Sequence, residues 1–219
     1  MYQYFIFDFD GTVVDTGEGI LKSLQFAFED NGRPVPDLSE LTKFIGPPIH
    51  FSFVNYYDVP EEEVQTYIRS YRKRYREKGI YECHLYDGMP ETLKELKRRG
   101  AKLGIASSKP EHLIFDVANH LGITELFDAV SGTLFDDSNH SGKADLILRA
   151  MEMLGATDKS EVLMIGDRLY DIDGAKDAGV DSCGVLFGYG SREEFIEHGA
   201  DHIIAKAEEL IDFISPQYV

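Results

Sequence analysis

The sequence predicts an α/β protein, a three-layer, Rossmann-like parallel sheet core with an inserted helical domain. Short apolar runs of strand character recur at Tyr4–Phe7, Lys102–Ala106, Glu161–Ile165 and Ser182–Leu186. The later runs follow stretches of helical periodicity, the alternation that builds βαβ units and a parallel sheet. From Thr16 to about Tyr81 this alternation stops and only helical patterning remains.

Tyr4–Phe7 is apolar and aromatic and is bounded by Asp and Gly, as a buried strand should be. In the stretch that follows, Ile20, Leu24 and Ala27/Phe28 make one apolar stripe, and Val64, Tyr67/Ile68 and Tyr71 another. Pro34, Pro36, Pro47, Pro48 and Pro60 punctuate it. A helical insertion after the first strand accounts for this pattern: residues 16–81 form one domain, and residues 1–15 join 82–219 as the core. Met89, Leu93 and Leu96 then repeat at helical spacing until Gly100 stops the helix ahead of Lys102–Ala106. Leu146, Ile147, Ala150, Met151 and Leu154 do the same, ending at Gly155 ahead of Glu161–Ile165.

A length of 219 residues allows one large domain or a domain with an insertion, and needs no disulfide or metal staple to fold. Lys and Arg total 22 against 39 Asp and Glu, a formal charge of −17 that disfavours nucleic acid and anionic membrane as partners. The apolar runs fall short of the ~18 residues of a membrane span, and the acidic N-terminal stretch does not read as a signal peptide. Cys83 and Cys183 form no CxxC pair, which suits a reducing cytoplasm. A monomer or weak dimer is expected.

The strongest chemical signal is Asp8-Phe9-Asp10-Gly11-Thr12 at the end of the first strand. Residues i and i+2 of an extended chain face one side, so both carboxylates can enter one pocket. Like charges that close need a cation or a shared proton. Gly11 permits a tight turn, and ligands of open α/β sheets bind beyond the carboxyl ends of the strands. An EF-hand is excluded, because Thr12 and Val13 stand where Asp or Asn and then Gly are required.

A second acidic group, Gly166-Asp167-Arg168-Leu169-Tyr170-Asp171, follows the strand Glu161–Ile165. Carboxylates at strand ends suit a hard divalent cation such as Mg²⁺, which takes one or two of them together with phosphate and water. Asp173 reads as helix capping or surface. Ser107 and Ser108 follow Lys102–Ala106, with Lys109-Pro110 opening the next helix. There a hydroxyl and backbone N–H groups suit phosphate oxygens, helix capping being the alternative. Lys143 follows the loop Ser138–Gly142 and starts the helix to Leu154; taken alone, it reads as a surface residue. Arg69, Arg72, Lys73, Arg74, Arg76 and Lys78 form a basic cluster, either a solvated helix face or a surface that attracts anionic substrate.

Together these groups resemble the haloacid dehalogenase superfamily over essentially the whole chain. Asp8–Thr12 looks like its first motif, Ser107 its second, Lys143 its third and Gly166–Asp171 its acidic fourth, in the family's order. The helical insertion resembles the family's cap domain. The resemblance implies a Mg²⁺-dependent phosphatase of small phosphate monoesters, similar to phosphoglycolate phosphatases and working through an aspartyl-phosphate. Asp8 would be the nucleophile and Asp10 the acid and base. Asp8, Asp10 through its backbone carbonyl, and Asp167 would hold Mg²⁺, with Asp171 orienting them. Ser107 would hold a phosphoryl oxygen, while Gly11, Thr12, Ser108, Lys109 and Gly46 of the cap would meet the substrate. Lys143 would offset charge on Asp8, a role for which Lys109 competes.

Asp10 argues against dehalogenases, which resemble one another in lacking it. Neither Lys22 nor Lys43 sits in a recognisable phosphonatase stretch, and Thr42–Pro48 lacks the arginine typical of sugar phosphomutases. A 5′-nucleotidase, a pyrophosphatase, a β-phosphoglucomutase-like mutase and a non-catalytic phosphate-binding protein are the alternatives. The expected partner is a small phosphorylated metabolite, with no nucleic acid and no membrane.

Overall fold

The computed structural model describes residues 1–45, 49–133 and 142–214. The chain separates into two compact units, Met1–Val14 with Leu85–Val219, and Asp15–His84. Strand β1 (Tyr4–Phe7) leads to the two-residue β2 (Val14–Asp15), which pairs with β3 (His84–Leu85) where the chain returns from the second unit. The remaining strands are β4 (Lys102–Pro110), β5 (Ala129–Thr133), β6 (Val162–Gly166), β7 (Asp181–Val185) and β8 (His202–Ile204).

The second unit is helical, with α1 (Gly17–Asp30), α2 (Leu38–Leu41), α3 (Ile49–Tyr57) and α4 (Glu61–Glu77). The apolar stripes of α1 and α4 close on an aromatic core in which Phe28 lies 5.7 Å from Phe53, 5.1 Å from Tyr57 and 5.8 Å from Tyr67, ring centre to ring centre. Aromatic groups suit this small core because each buries a large apolar area and gains from tilted packing. Arg74 of the basic cluster turns inward and grips both oxygens of Glu82, at 2.9 and 3.0 Å. Arg69, Arg72, Lys73 and Arg76 lie on the exposed face of α4.

In the first unit, β4, β5, β6, β7 and β8 join β1 in one sheet of order β5-β4-β1-β6-β7-β8, with every registered pair parallel. The helices α5 (Met89–Arg98), α6 (Glu111–Leu121), α7 (Lys143–Leu154), α8 (Leu169–Ala178) and α9 (Arg192–His198) follow the strands. A parallel sheet with helices on its faces has strands that read as unbroken apolar runs. Phe5, Ile6 and Phe7 are accordingly inaccessible to water. Ile6, Val162 and Met164 pack on one face against Leu146, Ile147, Ala150 and Met151 of α7 and Ala175 and Ala178 of α8. Among the described residues, no helix is long and apolar enough to cross a membrane.

One expectation is corrected, and two strands are added that the sequence reading did not contain. Strand β4 continues past Ala106 to Pro110 with a register shift, so Ser107, Ser108 and Lys109 belong to the strand, and α6 begins only at Glu111. The reason lies in β5, not foreseen from the sequence, whose Thr133 pairs with Pro110 and prolongs the ladder. Strand β8 was not anticipated either; it has three residues and pairs with β7 alone.

Candidate active site

The register of the sheet sets the site. Phe7 stands level with Ile105 on one side and Ile165 on the other, so Asp8, Ala106-Ser107 of β4 and Gly166-Asp167 lie level with one another toward the carboxyl ends of three adjacent strands. Connections from β1 lead toward β4 and those from β6 toward β7, so the strand order reverses between β1 and β6. Such a switch point is where open α/β sheets bind their ligands.

One carboxylate oxygen each of Asp8, Asp167 and Asp171 lies within 4.8 Å of the others. Asp8 Oδ1 accepts the N–H of Phe9 at 2.7 Å and lies 3.0 Å from Lys143 Nζ. The same ammonium reaches Asp171 Oδ1 at 2.7 Å. Burial opposes the charge of Lys143, but Asp171 and Asp8 outweigh it and hold the ammonium above its ordinary range. Asp167 is pushed well up by burial and by Asp171 and Asp8, against the N–H of Tyr189. Burial likewise raises Asp171 to about 6, although Lys143 pulls it down. Two of the three crowded carboxylates, Asp8 and Asp171, share one ammonium and Asp167 has only neutral donors, so negative charge remains in excess. Hard oxygen donors with excess negative charge fit a divalent cation such as Mg²⁺.

Asp10 stands apart from this group. Its two oxygens lie 3.0 and 3.1 Å from Lys109 Nζ, a nearly buried lysine. The competition between the two lysines therefore divides by partner: Lys143 serves Asp8 and Asp171, and Lys109 serves Asp10. Gly11 has φ +84°, and a Cβ built on it would lie 2.3 Å from Asp167 Oδ2, so the first turn closes on the second acidic group only with glycine there. Thr12, fully buried, donates its hydroxyl to Asp167 Oδ1 at 3.2 Å.

Ser107 is buried, and its hydroxyl oxygen accepts the N–H of Lys109 at 3.3 Å. Ser108 alternates to the exposed side of β4. Gly46, with Pro47 and Pro48, lies outside the described residues, as does the loop before Gly142. Arg168 Nε pairs with Glu194 at 3.1 Å, and Asp173 pairs with His198 at 2.8 Å, consistent with a surface place for Asp173. Lys43 rests over the rings of Tyr56 and Tyr57 in the helical unit.

Sequence reasoning overlooked the loop after β7. Tyr189 donates its N–H to Asp167 Oδ2 at 3.0 Å. The available signal was the glycine pair flanking Tyr189 just beyond a strand's carboxyl end.

A parallel α/β sheet that gathers three carboxylates and a lysine at its switch point defines the class: an α/β enzyme with its site at the carboxyl ends of the strands. A family described as haloacid dehalogenase-like hydrolase matches residues 5–185, and the chain belongs to that family. It is 38% identical over 209 residues to a 5′-nucleotidase of Pseudomonas aeruginosa, covering 95% of this chain and 94% of that one. It is also 33% identical over 208 residues to the tyrosine-protein kinase PtkA of Mycobacterium tuberculosis, covering 95% of this chain and 70% of that protein. The crystal structure of a predicted phosphatase from Clostridium acetobutylicum superposes with a TM-score of 0.90 at 39% identity, covering 97% of this chain and 98% of that one.

Proposed function

We propose that the chain is a divalent-cation-dependent phosphatase that hydrolyses small phosphate monoesters through an aspartyl-phosphate on Asp8. The observation that carries this reading is the setting of Asp8: one oxygen bonded to Lys143 and the Phe9 N–H, beside two further buried carboxylates at the switch point. A carboxylate is a competent nucleophile toward phosphorus once a cation relieves its repulsion from the substrate.

Asp8, Asp167 and Asp171, with the backbone carbonyl of Asp10, would hold the cation, Mg²⁺ by their chemistry. When bound it supplies charge neutralisation at the phosphoryl oxygens. An Asp8 oxygen forms the bond to phosphorus as the ester P–O bond breaks, and Asp10, as general acid, passes a proton to the departing oxygen. Water then attacks phosphorus, its proton passes to Asp10, and the acyl-phosphate bond breaks to release phosphate and restore Asp8. Lys109 orients Asp10 by its contacts to both oxygens. Lys143 steadies Asp8 in line and stabilises charge as it moves onto the phosphoryl group. Thr12 fixes Asp167, Ser107 serves the phosphoryl oxygens, and Ser108 and Gly11 belong to the substrate's surroundings.

Nucleoside 5′-monophosphates head the candidate substrates, with the nucleoside 5′-oxygen as leaving group, because the 38%-identical relative is named a 5′-nucleotidase; phosphoglycolate, sugar phosphates and pyrophosphate complete the panel. The test is phosphate release across this panel with Mg²⁺, with Ca²⁺ and with chelator. Turnover should need Mg²⁺ and be poor with Ca²⁺, whose larger, looser shell misplaces the reactants. Asp8→Asn, nearly isosteric, should abolish turnover. Retention of more than about a tenth of kcat, roughly 1.4 kcal/mol of barrier, would remove Asp8 from the nucleophile's role.

A further inference from the structure

The catalytic scheme above makes no use of the loop between β7 and α9, Leu186–Ser191, yet this loop closes on Asp167. Lys143 fixes Asp8 and Asp171, whereas Asp167 is gripped by two neutral donors: the Thr12 hydroxyl at 3.2 Å on Oδ1 and the Tyr189 N–H at 3.0 Å on Oδ2. Neutral donors orient a carboxylate without occupying it as a counter-ion would, so its oxygens stay available to a cation.

The Tyr189 donor is main chain, and what brings it within reach is the pair of flanking glycines. A Cβ built at Gly188 would lie 2.3 Å from Asp167 Cβ and 2.3 Å from the carbonyl oxygen of Gly11; one at Gly190 would lie 2.2 Å from the carbonyl oxygen of Asp167. No side chain tolerates such distances, so any substitution at Gly188 drives the loop off both acidic segments. The loop is also anchored from below. The Phe187 ring lies 5.1 Å from that of Tyr86, and Tyr86 donates its N–H to Val13, the residue after Thr12. Both donors to Asp167 therefore come from segments tied to one turn.

We propose that the Phe187–Gly190 loop is the positioning element for Asp167 in the divalent-cation site, with Gly188 the residue on which it depends. This rests on the cation reading given above. The Phe187 ring and the bare Gly188 backbone act through the Asp167 carboxylate and touch no reacting atom.

The test is Mn²⁺ binding followed by electron paramagnetic resonance, with circular dichroism and melting to establish folding. The set comprises wild type, Gly188→Ala, Phe187→Ala and Tyr189→Ala, and Gly188→Ala combined with Asp167→Asn. Gly188→Ala should weaken Mn²⁺ binding about 10–100-fold, the usual effect of removing a ligand's supporting partner. Phe187→Ala, which introduces no clash, should weaken it in the same direction by less. Tyr189→Ala keeps the main-chain donor and should stay near wild type. In the Asp167→Asn background, Gly188→Ala should cause no further loss, because its effect runs through that carboxylate.

A folded Gly188→Ala with wild-type affinity overturns the inference, as does an equal loss in the Asp167→Asn background. A Tyr189→Ala loss as large as that of Gly188→Ala transfers the effect to the side chain and overturns it too. Should Gly188→Ala not fold, an unchanged affinity in Phe187→Ala is the refuting result. Wild type that binds no Mn²⁺ removes the cation reading itself, an outcome distinct from all of these.

Discussion

Replacing Lys143 with methionine keeps the length and apolar stem of the side chain and deletes its charge. The ammonium sits 3.0 Å from Asp8 and 2.7 Å from Asp171, with 8% of the lysine side chain accessible. Its loss leaves three mutually close carboxylates with no shared cation. Removing one partner of a buried ion pair costs about 3–5 kcal/mol. At about 2–4 °C per kcal/mol for a chain of this size, Tm of the metal-free protein should fall by roughly 6–20 °C near pH 8.

The fall should shrink on acidification, and the sign follows from Asp171. Its carboxyl titrates near 6 in the folded protein, above the ordinary aspartate value, so the unfolded chain ionises first as pH rises. Stability at this group is fully present below about pH 4 and is lost as pH climbs through 6. Without Lys143 the folded value rises further and the loss at pH 8 grows. Melting followed by circular dichroism in chelator, at pH 5 and pH 8, reads the difference directly. Mg²⁺ should then restore the variant by more than it stabilises wild type, because a cation replaces the missing charge. A Lys143→Met protein that melts within about 2 °C of wild type at pH 8 in chelator would refute the charge argument.

Two further outcomes concern the helical unit. Glu82 is held below its ordinary range mainly by its bonds to Arg74, so Glu82→Gln should cost about 1 kcal/mol at pH 7, the pair being partly exposed to water. The contribution of a depressed carboxyl is present above its unfolded value and lost as pH falls through the folded one, so the two proteins should converge in melting scans below about pH 4. Phe28→Ala removes a buried ring that contacts Phe53, Tyr57 and Tyr67, and should destabilise the unit by about 3–5 kcal/mol, seen as a fall in its denaturant midpoint.

The parts of this fold that were legible in the sequence are those whose physics is local. Tyr4–Phe7 announced itself because four apolar residues met Asp and Gly at a strand end, and Lys143–Leu154 because its apolar stripe ran unbroken to Gly155. Strand β5 escaped because Ser131 and Gly132 dilute its apolar signal, and β8 because three residues carry no period. The acidic residues of the site could be picked out, since carboxylates at strand ends are chemically conspicuous. Their partners could not. Whether Lys109 or Lys143 meets Asp8 depends on sheet order and on the extra length of β4, which are long-range facts. Gly188 escaped for a different reason: it acts by having no side chain.

The central place of β1 bears on how the enzyme comes into being. Its two neighbours, β4 and β6, begin at Lys102 and Val162, and the loop that grips Asp167 comes later still. A chain made from its N-terminus exposes Asp8 and Asp10 well before their lysine partners, Lys143 and Lys109, and before Asp167 and Asp171. Parallel pairing at such separation is slow, and an apolar strand waiting unpaired is prone to aggregate. Yet the same delay means that a half-made chain cannot assemble the carboxylate cluster. The three carboxylates come together only after β6 has paired with β1, so the cluster is a product of long-range folding and of no local segment.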